Sequence, residues 1–256
     1  GIGISNTPLK CAKEINSFLC GEYNEEISAL FSCGGGELMC EILDDVDFDK
    51  IKKSKPVWFL GYSDNTNLTF LLPTICDITA IYSPCAPAYG MEPWHPSLKD
   101  TFELLTGKSN MAHGYDKWEK ESLKNEENPL VPYNVTKKTE IKKFGAGKDD
   151  AKTEISGRLI GGCLSNLAGT KFDKVSDFNE KYKEDGIIWF MESCDLNPMA
   201  IRRAIWQLDH AGWFKYVKGF LIGRPLCLDE EILGVDRYNA VYPLLEKYNV
   251  PIIMDL

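Results

Sequence analysis

Histidine is scarce in this chain, with three in 256 residues. His95, His113 and His210 are far apart, and none stands at ligand spacing from another histidine or a cysteine pair, so no metal site is expected. The nine cysteines are odd in number, scattered and without a CxxC pair. That pattern does not fit a secreted disulfide framework and agrees better with reduced thiols in a cytoplasm. No apolar run approaches the ~20 residues needed to span a bilayer. Positive charge is in deficit, with 29 Lys and Arg against 38 Asp and Glu and a formal charge of −9. Neither a nucleic-acid backbone nor an anionic membrane surface is therefore expected as a partner. The dinucleotide fingerprint G-x-G-x-x-G is missing, and "FGAGKDD" shares only its Gly-Lys pair with a phosphate loop. No organic cofactor is implied.

What is present is ordinary globular composition, 44% apolar and 26% charged, on a chain long enough for one large domain or two smaller ones. The first hundred residues alternate between helical and strand patterns. "PLKCAKEINSFLC" predicts a helix, "ISALFSC" a buried strand ending in Gly34-Gly35-Gly36, and "ELMCEIL" another helix. "PVWFLG" and "ITAIYSP" read as further strands, with a helix from about Asn65 to Leu72 between them. Such alternation implies a parallel sheet covered on both faces. Residues from about 106 to 154 are charged and Pro/Gly-punctuated, and read as a polar connection holding a hairpin.

A second lobe restarts at "ISGRLIGGCLSNLAGT" and continues with the strand "GIIWFM". A helix follows with Asn197 as N-cap, Pro198 at its first position, an apolar face of Ile201, Ala204, Ile205 and Leu208, and Gly212 as its stop. "VKGFLIG", "YNAVYPLLEKY" and "VPIIMDL" complete the lobe as strand, helix and strand. The expected class is α/β: a parallel-sheet N-terminal lobe over 1–105 with a nucleophile-elbow-like turn, the connection over 106–154, and a second, smaller α/β lobe over 155–256. The chain opens without Met and stops just as a β-type run begins, which reads as a piece of a longer protein.

Three stretches carry chemistry. In "FLGYSDNTNLTF" a strand delivers Ser63 through Gly61 to the start of a helix, the placement a nucleophilic serine needs. The second glycine of G-x-S-x-G is replaced by Asn65, a residue that tolerates the left-handed conformation, so the turn survives. The plainer reading is that Ser63 or Asp64 caps the helix. The glycines of "SCGGGEL" let backbone N–H groups approach an oxyanion or carboxylate closely, or form an ordinary turn. Glu192 ends the apolar strand of "IIWFMESCD", where a carboxylate is costly unless paired or put to use. Of the histidines, His95 in "GMEPWHP" can face a cleft, His113 has no evident role, and His210 suits a solvated helix C-terminus. Arg224 reads first as a structural ion pair and second as a partner for a substrate carboxylate.

Taken in order, "ALFSCGGGELMCEIL", "FLGYSDNTNLTF", "IYSPCAPAYGMEPW", "GRLIGGCLSNLAGT", "IIWFMESCD" and "VKGFLIGRP" resemble the LD-carboxypeptidase family of serine peptidases. That family includes the muramoyltetrapeptide carboxypeptidases of peptidoglycan recycling and the microcin C immunity peptidases. The resemblance implies a Ser-Glu-His triad, with Ser63 as nucleophile and Glu192 orienting the histidine. It implies an oxyanion hole from the N–H of Asp64 and one from Gly35 or Gly36, and it marks Gly162, Asn166 and Trp94 for substrate contact. The histidine follows the last strand in the family, so it is expected beyond Leu256, and the family's opening strand and helix before Gly1. The implied reaction is acyl transfer without metal or cofactor, releasing D-Ala from a murein tetrapeptide. Cleavage of peptidyl or aminoacyl nucleotide conjugates is the nearest rival, with Trp94 and Trp118 as candidates to stack on a nucleotide base, and a non-catalytic peptide-binding lobe is the next. The implied partner is a small peptide or muropeptide, and a homodimer is among the open states.

Overall fold

Residues 6–169 and 174–256 are described by a computed structural model, in which the chain divides into two units, 1–139 and 140–256. In the first, Thr7 caps α1 (Pro8–Leu19) by accepting from the Lys10 N–H, and Pro8 takes the first helical position, where its missing donor costs nothing. The strands β1 (Ala29–Phe31), β2 (Trp58–Gly61) and β3 (Ile81–Tyr82) form a parallel sheet in that order, with α2 (Phe48–Ile51) between β1 and β2. Leu30 stands opposite Phe59, and Gly61 opposite Tyr82.

Two helices expected here are shorter than their patterns. "ELMCEIL" supplies only a 3-10 turn, Met39–Ile42. The stretch after β2 is a 3-10 turn, Ser63–Asn65, followed by α3 (Thr66–Thr69) and a π-helical segment, Leu72–Cys76. Pro73 lies in that segment and removes the donor a regular helix would use. Burial decides the local form: Leu60, Leu68, Phe70, Leu71 and Leu72 are all at most 1% exposed, each contributing roughly 1.5–3 kcal/mol of hydrophobic free energy. α4 (Pro96–Leu105) follows, and β4 (Lys117–Glu119) pairs antiparallel with β5 (Val135–Lys138).

The second unit is built on a five-stranded sheet of order β6-β10-β9-β8-β7. It runs β6 (Lys142–Gly145), β7 (Arg158–Cys163), α5 (Leu164–Gly169), α6 (Val175–Lys181), β8 (Ile187–Glu192), α7 (Pro198–His210), β9 (Val217–Ile222), α8 (Tyr242–Leu245) and β10 (Pro251–Met254). Strands β7 to β10 are parallel neighbours in sequence order, and β6 closes the edge antiparallel to β10. The segment read as a connection is thus shared: β4 and β5 belong to the first unit, β6 to the second. The "FGAGKDD" stretch ends β6, where a Cβ on Gly145 would lie 2.2 Å from the Val250 carbonyl oxygen. Its glycine serves strand pairing. Thr170, the last residue of the "GRLIGGCLSNLAGT" block, lies outside the described residues.

α7 follows its sequence signals. The Asn197 side chain accepts from the Ala200 N–H at 2.9 Å, Ile201, Ala204, Ile205 and Leu208 are buried, and Gly212 ends the helix at φ 74°. Beside it the core is aromatic: Trp189 packs on Trp213 and Phe214 with ring centroids 6.0 and 5.5 Å away. No helix among the described residues is long and apolar enough to cross a membrane.

Candidate active site

β2 ends at Gly61, Tyr62 stays extended at φ −128° and ψ 179°, and Ser63 then turns the chain at φ 60°. A left-handed serine costs on the order of 1–3 kcal/mol and persists only where its surroundings hold it. Two groups do so. The Ser63 N–H donates to Tyr82 Oη at 2.8 Å, and Asn65 Nδ2 donates to the Tyr62 carbonyl at 2.9 Å. The strained residue is therefore Ser63, and not Asn65, which is right-handed at φ −62° and ψ −11°. Asn65 shapes the turn with its side chain: a Cβ on Gly61 would lie 2.6 Å from Asn65 Cγ. Nor does Ser63 cap a helix. Tyr62 and Asn65 hold the N-cap positions, and neither has a side-chain capping bond.

The glycine-rich turn lies directly against this one. A Cβ on Gly35 would stand 3.1 Å from both Cβ and Oγ of Ser63, and one on Gly36 would stand 2.9 Å from Asp64 Oδ2. None of these glycines is left-handed, so close approach is the reason for them. The Asp64 carboxylate is buried and fully engaged, accepting from the Met39 N–H at 2.8 Å and from Asn67 Nδ2 at 3.0 Å. Asp64 thereby joins the glycine segment to the serine turn with its side chain, leaving its backbone for other use. The N–H groups of Gly35, Gly36 and Asp64 have no acceptor among the described residues. With the Ser63 N–H already committed to Tyr82, these are the donors at hand for an oxyanion. Ser63 is half-buried, and Tyr62 beside it is 45% exposed. Behind the glycine turn a cavity of about 470 Å³ is lined by Ile15, Leu38, Met39 and Ile42 with Asp64 and Asn65.

In the second unit Glu192 is the last residue of β8, opposite Cys163 of β7. Its Oε2 accepts from the Cys194 N–H at 2.9 Å, and Cys194 is itself left-handed at φ 41°. Glu192 Cβ would lie 3.0 Å from a Cβ on Gly223, so that glycine makes room for the carboxylate. Burial, and to a lesser degree Glu192, pushes the Cys163 thiol above its usual range, so this cysteine stays a protonated filler. Gly162 lies one residue before the end of β7, at φ 147° and opposite Met191, and half-buried Asn166 follows on α5.

The histidines have local work. His95 caps α4, its Nδ1 accepting from the Ser97 N–H at 3.2 Å, and its ring meets Tyr115 and Tyr133 edge-on; burial lowers its pKa. His113 Nδ1 lies 2.9 Å from Asp100 Oδ2, an anchor the sequence did not reveal. His210 is exposed and stacks on Trp206 with centroids 3.9 Å apart. Trp94 donates to the Tyr89 carbonyl at 2.9 Å and keeps 37% of its surface exposed. Trp118 donates to the Lys138 carbonyl across the β4–β5 pair. Arg224 donates to the Asp255 carbonyl at 2.7 Å, while Arg237 and Tyr238 hold the buried Asp255 carboxylate. Among the described residues no three His, Cys, Asp or Glu side chains gather as a metal site.

Sequence reasoning missed Tyr82 and Ser32 as supports of the serine and glycine turns. The Tyr82–Ser63 contact joins residues 19 apart, which no local pattern records, whereas Ser32 bonds Gly34 two residues on within its own turn. Comparison with known proteins adds an independent line. Residues 3–83 match the LD-carboxypeptidase N-terminal domain and residues 156–256 the LD-carboxypeptidase C-terminal domain. The microcin C7 self-immunity protein MccF of Escherichia coli is 27% identical over 263 residues, covering 97% of this chain and 70% of that protein. The structure of MccF in complex with glutamyl sulfamoyl guanosine is similar with a TM-score of 0.78 at 22% identity, over 98% of this chain and 73% of that one. The MccF-like protein from Streptococcus pneumoniae in complex with AMP gives a TM-score of 0.72 at 20% identity, over 97% and 75%. These structures share the fold.

Proposed function

Because the chain belongs to the LD-carboxypeptidase family of serine peptidases, we propose that it hydrolyses a terminal amide by acyl transfer to Ser63. The observation that carries this reading is the left-handed Ser63 with Gly35 packed against its Oγ. A strained, partly open serine beside uncommitted backbone donors suits attack on a carbonyl. A histidine takes the Ser63 proton as Oγ bonds to the carbonyl carbon. The N–H groups of Asp64 and of Gly35 or Gly36 hold the oxyanion. The protonated histidine then gives its proton to the departing amine, and water releases the acyl group by the reverse sequence. The family resemblance assigns Glu192 the orientation of a catalytic histidine.

The substrate we favour is an aminoacyl or peptidyl nucleotide conjugate. Support comes from the relatives: one is a microcin self-immunity protein, and solved structures of this fold hold glutamyl sulfamoyl guanosine and AMP. Carboxypeptidase action, which the family description names, supports a second substrate, the murein tetrapeptide with terminal D-Ala that the resemblance implies. A cytoplasmic setting is part of the proposal, since scattered cysteines without CxxC spacing fit reducing conditions. The test offers both substrates to the full-length protein and to its Ser63→Ala variant. Release of nucleotide only by the Ser63 protein supports the reading. D-Ala release alone moves it to the second substrate, and binding without release by either protein makes this a peptide-binding lobe.

A further inference from the structure

Two side chains converge on one carbonyl next to the serine. Ser32 Oγ donates to the Gly34 carbonyl at 2.7 Å and accepts from the Gly34 N–H at 3.3 Å. Asn65 Nδ2 donates to the same carbonyl at 2.8 Å. A carbonyl oxygen has two lone pairs, so this one is saturated. The Gly34–Gly35 peptide is trans and planar, and its N–H therefore points opposite to its carbonyl, away from Ser32 and Asn65. That N–H belongs to Gly35, the residue whose Cβ position is 3.1 Å from Ser63 Oγ.

We propose that Ser32 and Asn65 are positioning residues, which lock the Gly34–Gly35 peptide so that the Gly35 N–H is presented to the oxyanion formed at Ser63. The inference rests on the acyl-transfer reading above and deepens it. Three consecutive glycines have the widest backbone freedom of any tripeptide. A flip of this peptide would replace the N–H by a carbonyl and turn stabilisation into repulsion. Oxyanion donors accelerate acyl transfer only when their direction is fixed before charge develops. The supports are themselves anchored. The Ser32 N–H donates to the Leu60 carbonyl at 2.9 Å, and its carbonyl accepts from Ala86 N–H at 2.8 Å. The same Nδ2 of Asn65 also bonds the Tyr62 carbonyl at 2.9 Å, so one amide group sets the separation of the serine turn from the glycine turn.

The test measures the rate at which a fluorophosphonate labels Ser63 in the full-length protein, because the phosphonyl oxygen of the adduct takes the place of the oxyanion. Ser32→Ala and Asn65→Ala are each expected to slow labelling by about 10- to 100-fold, bounded by the ~10²–10³ loss seen when a whole oxyanion donor is removed. Ser32→Thr keeps the hydroxyl and is expected to restore the rate, which a loss of packing alone would not require. Asn65 is buried, so if Asn65→Ala does not fold, Ser32→Ala carries the test. Folded Ser32→Ala protein that labels at the wild-type rate overturns the inference while leaving acyl transfer in place. Wild-type protein that is not labelled at Ser63 removes the acyl-transfer reading and this inference with it.

Discussion

Gly35→Ala separates the chemistry of the serine turn from its stability. The new methyl would lie 3.1 Å from both Cβ and Oγ of Ser63, whereas carbon contacts are comfortable at about 3.5–4.0 Å. One side must yield by about 0.4 Å or more. Ser63 has little freedom, since its N–H is held by Tyr82 at 2.8 Å, and the glycine turn is held through Gly34 by Asn65. The displacement therefore falls on the Ser63 hydroxyl or on the Gly35 N–H, the two groups that must be aligned. A misplacement of ~1 Å can cost 10²-fold in rate, so a loss of roughly 10- to 100-fold is expected here. Folding should hardly notice. Gly35 is exposed and not left-handed, so alanine restricts the unfolded chain and returns about 0.4–1 kcal/mol, offsetting the local crowding. The assay pairs the melting temperature with the pre-steady-state acylation rate of the full-length protein. Expected is a Tm within about 4 °C of wild type with slowed acylation. Wild-type acylation in folded Gly35→Ala would refute the contact as a feature of the working enzyme.

Other outcomes follow from the same geometry. Gly161→Ala would place a Cβ 1.6 Å from the Phe190 carbonyl oxygen at φ 152°, so parting β7 from β8 should cost about 3 kcal/mol or more. A wild-type midpoint in urea would contradict that strand register. Asn197→Ala removes the α7 cap and should cost about 1 kcal/mol, read as a Tm lower by roughly 2–4 °C; no change would mean the cap carries no energy. Tyr115 first, then His113, hold the Asp100 carboxyl down to about 2 from 3.8. A depressed carboxylate contributes stability above its unfolded value and loses it as pH falls toward the folded one. Acid unfolding followed by near-UV circular dichroism should therefore be flatter for Asp100→Asn between about pH 4 and 2, and an unchanged slope would exclude this carboxylate.

Sequence was most informative where the code is local. Asn197, Pro198 and Gly212 framed α7 because a cap, a first-turn proline and a left-handed stop act within a few residues. The path from β2 through Gly61 to Ser63 was readable for the same reason. The reading failed where partners are distant. Asn65 was expected to supply the left-handed residue, yet its side chain is drawn to Gly34, 31 positions earlier, and the strain passes to Ser63. β6 lay inside a charged stretch, and only its pairing with β10, more than a hundred residues later, makes it a strand. "ELMCEIL" gave only a 3-10 turn, whose first N–H, that of Met39, is capped by the distant Asp64. His95 was read as able to face a cleft, and its capping of α4 through Ser97 was not legible in the sequence.

The central claim is a covalent acyl group on Ser63. The most direct measurement is rapid-quench mass spectrometry of the full-length protein mixed with an aminoacyl nucleotide conjugate, followed by peptide mapping. The account expects a transient mass increase equal to the acyl half of the substrate, confined to the peptide containing Ser63 and absent from Ser63→Ala. Turnover that persists in Ser63→Ala, or an adduct on any other residue, would contradict it.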